Sequence, residues 1–418
     1  MLLLKQVTIL DATSKWHQKV ADILIEDGKI AAIEKAITSK KAKVVAAEGL
    51  HASIGWLDIG AQIGEPGFEH REDLDSVTQA AASGGFTALA PFPNTNPAIH
   101  SKSEVYFLKN RAQLVDFFPI GALSRDCAGV DLAELYDMAA AGAVAFSDGQ
   151  LSIGSAGLLK RGLQYLKGIN GLLINHPNDT SLSKSGQLHE GKISTQLGMK
   201  GIPALAETLM LKRDLDLLAY ADSRLHIHNI STAESVDLIR AAKSKGLRIT
   251  ASVSVFNLIY NHEQLTTFDS NYKVMPPLRE KSDCQALLAG LQDGTIDAIN
   301  SNHIPLEIEA KKLEFVYADF GTIGLSTVFP LLQTDLSDIL SLEKIIHLLA
   351  VQSRKVLGLP ITSLTVDEKA NLTLFQPNQY WTFTENNIYS KSANTPLIGT
   401  TFRGKVLGII NGEFHNLS

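Results

Sequence analysis

Residues 224–255 read RLHIHNISTAESVDLIRAAKSKGLRITASVSV, and this stretch contains a complete strand–helix–strand unit. An apolar strand leads into Ser231, and Glu234 follows three residues later, which is the pattern of a helix-capping box. The helix that begins there has an apolar face, and Gly246 is placed to end it. A second apolar strand follows directly. The unit is typical of a sheet whose strands run parallel and are joined by helices.

Similar units recur through the middle of the chain, at GGFTALAPFPN, GAVAFSDG, GLLINHPND and TIDAINSNH. Repeated strand–helix units predict an α/β fold with a parallel sheet, most economically a closed (β/α)8 TIM barrel over residues 52–362. An open doubly wound sheet is the alternative. In a barrel, functional side chains lie at the C-terminal ends of the strands.

The two ends of the chain differ from the middle. Residues 1–51 and 363–418 alternate short apolar runs with polar turns, including Asp27-Gly28 and Asn411-Gly412, which are typical of β-hairpins. We expect these two ends to pair as one small β-sandwich domain beside the barrel.

The composition excludes several classes of function. The 418 residues carry a net charge of −6, so neither nucleic acid nor an anionic membrane is expected as a partner. Apolar runs are too short for a signal peptide or a membrane span, which predicts a cytoplasmic protein. Cys127 and Cys284 match no zinc-ligand spacing and are expected to be reduced thiols.

Motifs spread in order over nearly the whole chain resemble those of the dihydroorotases, in the bacterial long form of this family of the amidohydrolase superfamily. They are GEPGFEHREDL, AAASGGFTALAPFPNTNP, GAVAFSDG, EGKISTQLGMKGIPALAE, STAESVDLIRAAKSKG, YKVMPPLRE, DGTIDAINSNHIP, GTIGLS and SKSANTPLIGTTFRGKV. The resemblance implies a metal-dependent-hydrolase barrel, a binuclear zinc site and a place in pyrimidine biosynthesis, where carbamoyl-aspartate is closed to dihydroorotate.

The family motif D-x-H-x-H on the first barrel strand is altered here. In DIGAQ, residues 58–62, the two histidine positions are Gly60 and Gln62. Glycine has no side chain, and an amide is a poor zinc ligand. The arginine that grips the substrate carboxylate in the family corresponds to Gly64.

The other site positions that the resemblance implies are mixed. Asp148 (or the position beside it) and His176 match metal ligands, whereas Asn229 stands in the place of a metal-binding histidine. Asn302 replaces the aspartate that binds metal and acts as the general base. Asn94 matches an expected substrate contact. At most two ligands remain, so we expect no metal cofactor and no intact catalytic group.

Several histidines have alternative interpretations. His226 and His228 share one face of a strand and could form a displaced metal site with His176, or be hydrogen-bonded barrel histidines. His303 is expected to be a packing residue beside the former site. His70, in the charged stretch GFEHRED, is expected in a solvated loop, with a partner interface as the alternative.

Two hypotheses of function follow from different classes. The chain is either a non-catalytic dihydroorotase-like protein or a divergent active dihydroorotase or cyclic-amide hydrolase. Simultaneous loss of metal ligands, base and substrate arginine favours the non-catalytic hypothesis. Some inactive bacterial members of the family associate with aspartate carbamoyltransferase, so the resemblance implies that enzyme as a partner, together with a homodimer.

Overall fold

The computed structural model describes residues 1–111 and 114–417, and its strands fall into three groups along the chain. The first group is β1 (Leu2–Leu10), β2 (Val20–Glu26), β3 (Lys29–Glu34), β4 (Lys43–Ala46) and β5 (His51–Ile54). The second is β6 (Trp56–Ile59), β7 (Phe86–Ala90), β8 (Asp116–Phe117), β9 (Ile120–Gly121), β10 (Ala145–Phe146), β11 (Leu172–Asn175), β12 (Leu188–His189), β13 (Gly201–Ile202), β14 (Arg224–Ile227), β15 (Ile249–Ser254) and β16 (Ala298–Asn300). The third is β17 (Asn371–Thr382), β18 (Thr401–Asn411) and β19 (Phe414–Leu417).

The helices lie mostly between the strands of the second group. They are α1 (Leu74–Ser83), α2 (Lys102–Lys109), α3 (Leu135–Ala141), α4 (Ala156–Lys167), α5 (Thr180–Ser183), α6 (Lys192–Gln196), α7 (Leu205–Ala221), α8 (Ala233–Ser244), α9 (Val255–Ile259), α10 (Lys281–Asp293), α11 (Ile308–Lys311), α12 (Val328–Asp335), α13 (Leu342–Ile346) and α14 (Ser353–Leu357). A π-helical segment, His347–Gln352, joins α13 to α14. Within the described ranges, no helix has the length and apolar character needed to cross a bilayer.

The second group of strands forms a parallel barrel. Parallel ladders run from β6 through β7 to β8, and from β9 through β10, β11, β14 and β15 to β16. The N–H of Ile120 donates to Pro91 O at 3.2 Å, which links the β7 end to β9. The N–H of Gln62 donates to His303 O at 3.0 Å, which joins the first strand to the last. The predicted barrel is confirmed in preference to the open sheet.

An apolar layer fills the lower part of the barrel. Its buried side chains come from alternate strand positions and from α14, and include Leu57, Ile59, Ala88, Ala90, Ile174, Val356 and Leu357. Side chains that alternate along a strand face opposite sides of the sheet. The polar residues that follow the strands lie at the C-terminal end of the barrel, beyond this apolar layer.

The two ends of the chain form one mainly antiparallel sheet, in the order β19-β18-β17-β5-β1-β2-β3, with β4 paired to β1. Both predicted hairpins are present: Asp27-Gly28 joins β2 to β3, and Asn411-Gly412 lies between β18 and β19. Glycine suits both turns because Gly28 and Gly412 have φ of 72° and 63°. The prediction of a TIM barrel with a small β-sandwich domain built from both termini is confirmed, and the exact boundaries at 51/52 and 362/363 stay predictions.

The start of α8 differs from the predicted capping box by one residue. Thr232 is the cap, and its hydroxyl accepts from the N–H of Ser235 at 3.2 Å. The Ser231 hydroxyl instead donates to the buried carboxylate of Glu207 on α7. Glu234 turns outward and pairs with Lys212 at 2.5 Å. A buried carboxylate needs hydrogen-bond donors, and this need recruits the serine away from the helix end.

Candidate functional site

The altered motif positions lie together at the barrel mouth. Gly60 and Gln62 follow β6, His176 follows β11, Asn229 follows β14 and Asn302 follows β16. These segments contact one another and form one polar layer at the C-terminal ends of the barrel strands.

The ring of His228 fills the space beside Gly60. A Cβ atom built on Gly60 would lie 2.7 Å from Cε1 of His228 and 2.8 Å from Cε2 of Phe92. The two rings pack edge-on, with their centroids 4.7 Å apart, and both side chains are buried. Gly60 also has φ of 91°, which disfavours any larger residue. A histidine at this position is therefore excluded by the packing as it stands.

Three asparagines occupy the centre of the polar layer. Nδ2 of Asn229 donates to Oδ1 of Asn302 at 3.1 Å, and Nδ2 of Asn300 donates to Oδ1 of Asn229 at 2.6 Å. Nδ2 of Asn302 donates to the carbonyl of Met275 at 3.1 Å. The three side chains are buried, so these bonds satisfy groups that water cannot reach. The amides of Asn229 and Asn302 therefore bind each other. By the resemblance, Asn229 stands in the place of a metal-binding histidine, and Asn302 stands in the place of the aspartate that acts as the general base.

The barrel histidines are neutral and tied to their neighbours. His176 Nδ1 lies 3.2 Å from the carbonyl of His228, so it carries the ring proton. His226 contacts the hydroxyls of Thr250 and Ser252 at 2.8 and 3.0 Å. Burial lowers the pKa of all three, to about 3 for His226. Within the described ranges they are not part of any group of three metal-ligating side chains, so the geometry does not assemble the displaced metal site.

One other cluster in the described part of the chain brings three such side chains together: His189, His262 and Glu280. Arg279 Nη1 donates to Nδ1 of His189 at 3.0 Å, and arginine cannot accept. The neutral ring of His189 therefore carries its proton on Nε2, the atom that faces Glu280 at 3.9 Å. A protonated ring nitrogen beside a guanidinium cannot bind a metal ion, so this cluster is not a metal site as assembled.

Asp148 and Asn94 are engaged with the protein. Both carboxylate oxygens of Asp148 accept from Ser124, from the N–H at 2.8 Å and from the hydroxyl at 2.6 Å. Asn94 donates to the carbonyl of Asp148 at 3.0 Å and accepts from the N–H of Gln150 at 3.0 Å. Gly149, the position beside Asp148, has no room for a side chain, because its Cβ would lie 1.8 Å from Oδ1 of Asn94.

Two buried carboxylates hold the loops that surround the mouth. Asp58 accepts from the N–H and the hydroxyl of Ser301, each at 2.7 Å, and burial raises its pKa to about 7. Glu72 lies 3.3 Å from Nε2 of His303, which is fully enclosed. His303 thus holds the loop after β16 to the loop before α1. His70, in contrast, is exposed, with its Nε2 3.9 Å from Glu307.

A cavity of about 450 Å³ opens at the barrel mouth, where Gln62 and Asn94 line it. It lies in the size range of small-molecule sites. Its wall includes Gln62, Gly64, Phe68, Arg71, Asn94, Thr95, Asp126, Cys127, Gln150, Leu306, Asp319 and Phe320.

Sequence reasoning missed three features of this site. It did not pair His228 with Gly60, it did not include Asn300, and it did not bring Arg71 to the cavity. The clustering of asparagine and histidine at strand ends was visible in the sequence, but the contacts between distant segments were not.

Comparisons with known proteins agree with this fold. A family model described as dihydro-orotase-like matches residues 50–235. A dihydroorotase of Syntrophus aciditrophicus is 37% identical over 412 residues, covering 97% of this chain and 96% of the relative. A dihydroorotase of Pelotomaculum thermopropionicum is 39% identical over 408 residues, covering 96% of this chain and 95% of the relative. The solved L-hydantoinase of Arthrobacter aurescens shares the fold, with a TM-score of 0.85 and 23% identity over 99% of this chain and 95% of its own.

These relatives correct the expectation about the cofactor. Dihydroorotases are zinc-dependent amidohydrolases, so zinc is the cofactor that the comparisons imply, and the expectation of none is contradicted. The residues at the mouth do not fit the family's two-zinc centre, however. His228 fills the space beside Gly60, two amides bind each other at Asn229 and Asn302, and the Asp148 carboxylate is held by Ser124.

Sequence identity of 37–39% over nearly the full length of both chains, together with the shared barrel and terminal sheet, shows that this chain belongs to the dihydroorotase family.

Proposed function

We propose that this chain is a non-catalytic dihydroorotase-family protein of pyrimidine biosynthesis. The observation that carries the proposal is the state of Asn302. Its amide stands where the family has its general base, accepts from Asn229 and donates to the Met275 carbonyl. An amide neither ionises nor takes up a proton near neutral pH.

The chemistry of ring closure explains why this matters. Closing carbamoyl-aspartate to dihydroorotate forms a C–N bond at a carboxyl carbon and releases water, so protons must leave the nitrogen and reach the departing oxygen. A group that exchanges protons near neutral pH must stand beside the reacting atoms. The nearby histidines are buried and have lowered pKa values, and Asp58 is fully buried and bound to Ser301. This arrangement supports a protein that has kept the fold without the proton transfer.

The proposed role is structural support of aspartate carbamoyltransferase in the cytoplasm, with self-association as a homodimer. The family resemblance supports this partner, since some inactive members associate with that enzyme. A specific complex of this kind is expected to bury at least about 1,000 Å² in total.

An active dihydroorotase or cyclic-amide hydrolase is the second candidate. The names of the relatives and the open cavity of about 450 Å³ favour it. It requires a route for proton transfer other than the one that runs through the position of Asn302.

Co-purification and turnover separate the two candidates. The chain is expressed with aspartate carbamoyltransferase of the same organism and tested for a stable complex, while the free chain is assayed for carbamoyl-aspartate cyclisation with added Zn²⁺. The expected result is a complex without cyclisation. Cyclisation that is lost in His176→Ala, without a complex at micromolar concentrations, would reverse the choice. The Syntrophus aciditrophicus dihydroorotase serves as the positive control for the assay.

A further inference from the structure

The side chain of Arg71 has one half of its hydrogen-bonding surface free. Its Nη2 donates to Oε1 of Glu307 at 2.9 Å, and its Nε lies 2.6 Å from Oε2 of the same carboxylate. Glu307 therefore occupies the edge of the guanidinium formed by Nε and Nη2. Among the described residues, Nη1 has no protein partner. The end of the guanidinium, formed by one N–H of Nη1 and one of Nη2, is available as a second fork for a planar anion.

The position of this fork is fixed from several sides. The guanidinium carbon lies 5.5 Å from the centre of the Phe68 ring, and the backbone carbonyl of Arg71 accepts from the Ser392 hydroxyl at 2.7 Å. Glu307 holds the other edge. A pre-oriented guanidinium loses less conformational entropy on binding than a free one.

Arg71 lines the mouth cavity, and it is the only lysine or arginine on the described wall of that cavity. Gly64 lines the same cavity but cannot supply a cation: a Cβ there would lie 2.2 Å from the carbonyl oxygen of Glu72, and its φ is 68°. The carboxamides of Gln62 and Gln150 also face this cavity, and neither has a hydrogen-bond partner within the described ranges. They offer donors and acceptors to the –CO–NH– edges of a ligand.

We propose that the mouth cavity binds a small monocarboxylate with amide or ureide groups, anchored end-on by Arg71. The choice of a monoanion follows from the charges around the cavity. Asp126 and Asp319 also line it, so one guanidinium faces two carboxylates, although Asp126 lies 3.0 Å from Nδ1 of His100. A ligand carboxylate can be paired with the single fork of Arg71, but a second ligand charge would find no cation and would face these carboxylates.

The ligand class rests on the family function proposed above, whereas the anchor rests on the contacts of Arg71. Dihydroorotate and 5,6-dihydrouracil form a matched pair of probes, because they share one ring and differ only in the carboxylate. The experiment measures the affinity of both probes for the full-length protein by calorimetry at low ionic strength. It is repeated on Arg71→Gln, on Arg71→Lys and on the control Lys312→Gln, which removes an exposed positive charge outside this cavity.

The native chain is expected to bind dihydroorotate roughly 10-fold or more tightly than dihydrouracil, in line with charge-assisted hydrogen bonds. Arg71→Gln should abolish this difference while dihydrouracil binding stays the same, which also reports that the variant is folded. Arg71→Lys should retain only part of the difference, since an ammonium has no fork. Lys312→Gln should bind as the native chain does.

Equal affinity for the two probes, no binding of either at millimolar concentration, or an unchanged preference in Arg71→Gln would each overturn the proposal. Full preference in Arg71→Lys would overturn the end-on fork. Turnover of dihydroorotate in the same samples would contradict the non-catalytic function without affecting the anchor, so the two failures are distinguishable.

Discussion

Replacing Gly60 by alanine tests whether His228 has taken over the space at the end of the first barrel strand. The new Cβ would lie 2.7 Å from His228 Cε1 and 2.8 Å from Phe92 Cε2, well inside van der Waals contact. Both rings are buried, so relief requires shifts in the core, at a cost of about 1–3 kcal/mol. The φ of 91° adds about 1 kcal/mol for a residue with a Cβ. We expect the free energy of unfolding to fall by about 2–4 kcal/mol.

A matched control separates strain from contact. Gly129 also has a left-handed φ, of 71°, but a Cβ there would meet nothing within 4 Å, so Gly129→Ala should cost only about 1 kcal/mol. The double variant Gly60→Ala/His228→Ala removes part of the clash. It should therefore be more stable, by about 1 kcal/mol or more, than the sum of the two single effects predicts. Urea unfolding followed by tryptophan fluorescence measures Gly60→Ala, His228→Ala, the double variant and Gly129→Ala. A Gly60→Ala cost no greater than that of Gly129→Ala, or additive effects in the cycle, would refute the packing argument.

Two further predictions concern buried carboxylates at the mouth. Asn302→Asp should lower the free energy of unfolding by about 1–3 kcal/mol at pH 8 and by less at pH 4. The reason is that the new carboxylate would face the Met275 carbonyl, to which Nδ2 of Asn302 now donates at 3.1 Å. An equal loss at both pH values in urea unfolding would contradict this prediction. Asp58 has a folded-state pKa of about 7, above the unfolded value of about 3.9, so its contribution to stability is present below about pH 4 and is lost as the pH rises to about 7. Asp58→Asn should therefore flatten the pH dependence of stability in that window, by at most about 1.4 kcal/mol per pH unit, and an unchanged slope would argue against the raised pKa.

The fold was predictable because its signals are local. The strand–helix–strand unit at 224–255 contains both the apolar periodicity of its helix and the glycine that ends it. Each of the two hairpins likewise contains its own turn residues. The cap of α8 was misplaced by one residue because Glu207, on the preceding helix, takes the hydroxyl of Ser231. That competition exists only in the folded chain.

The site was only partly predictable, for the same physical reason. The loss of side chains at Gly60 and Asn302 can be read from a motif, but what replaces them cannot. The ring of His228 against Gly60, and Asn300 bonded to Asn229, are contacts between strands that are far apart in sequence. The expectation of no metal cofactor was wrong for a different reason. It was based only on the altered ligand positions, whereas the relatives belong to a zinc-dependent family.

The most direct test of the non-catalytic proposal is a turnover measurement. Purified chain is mixed with carbamoyl-aspartate, with and without added Zn²⁺ and with and without aspartate carbamoyltransferase, and formation of dihydroorotate is followed against an active dihydroorotase. The proposal predicts no turnover above the buffer background under any of these conditions. Turnover that depends on the chain and disappears in His176→Ala would contradict it.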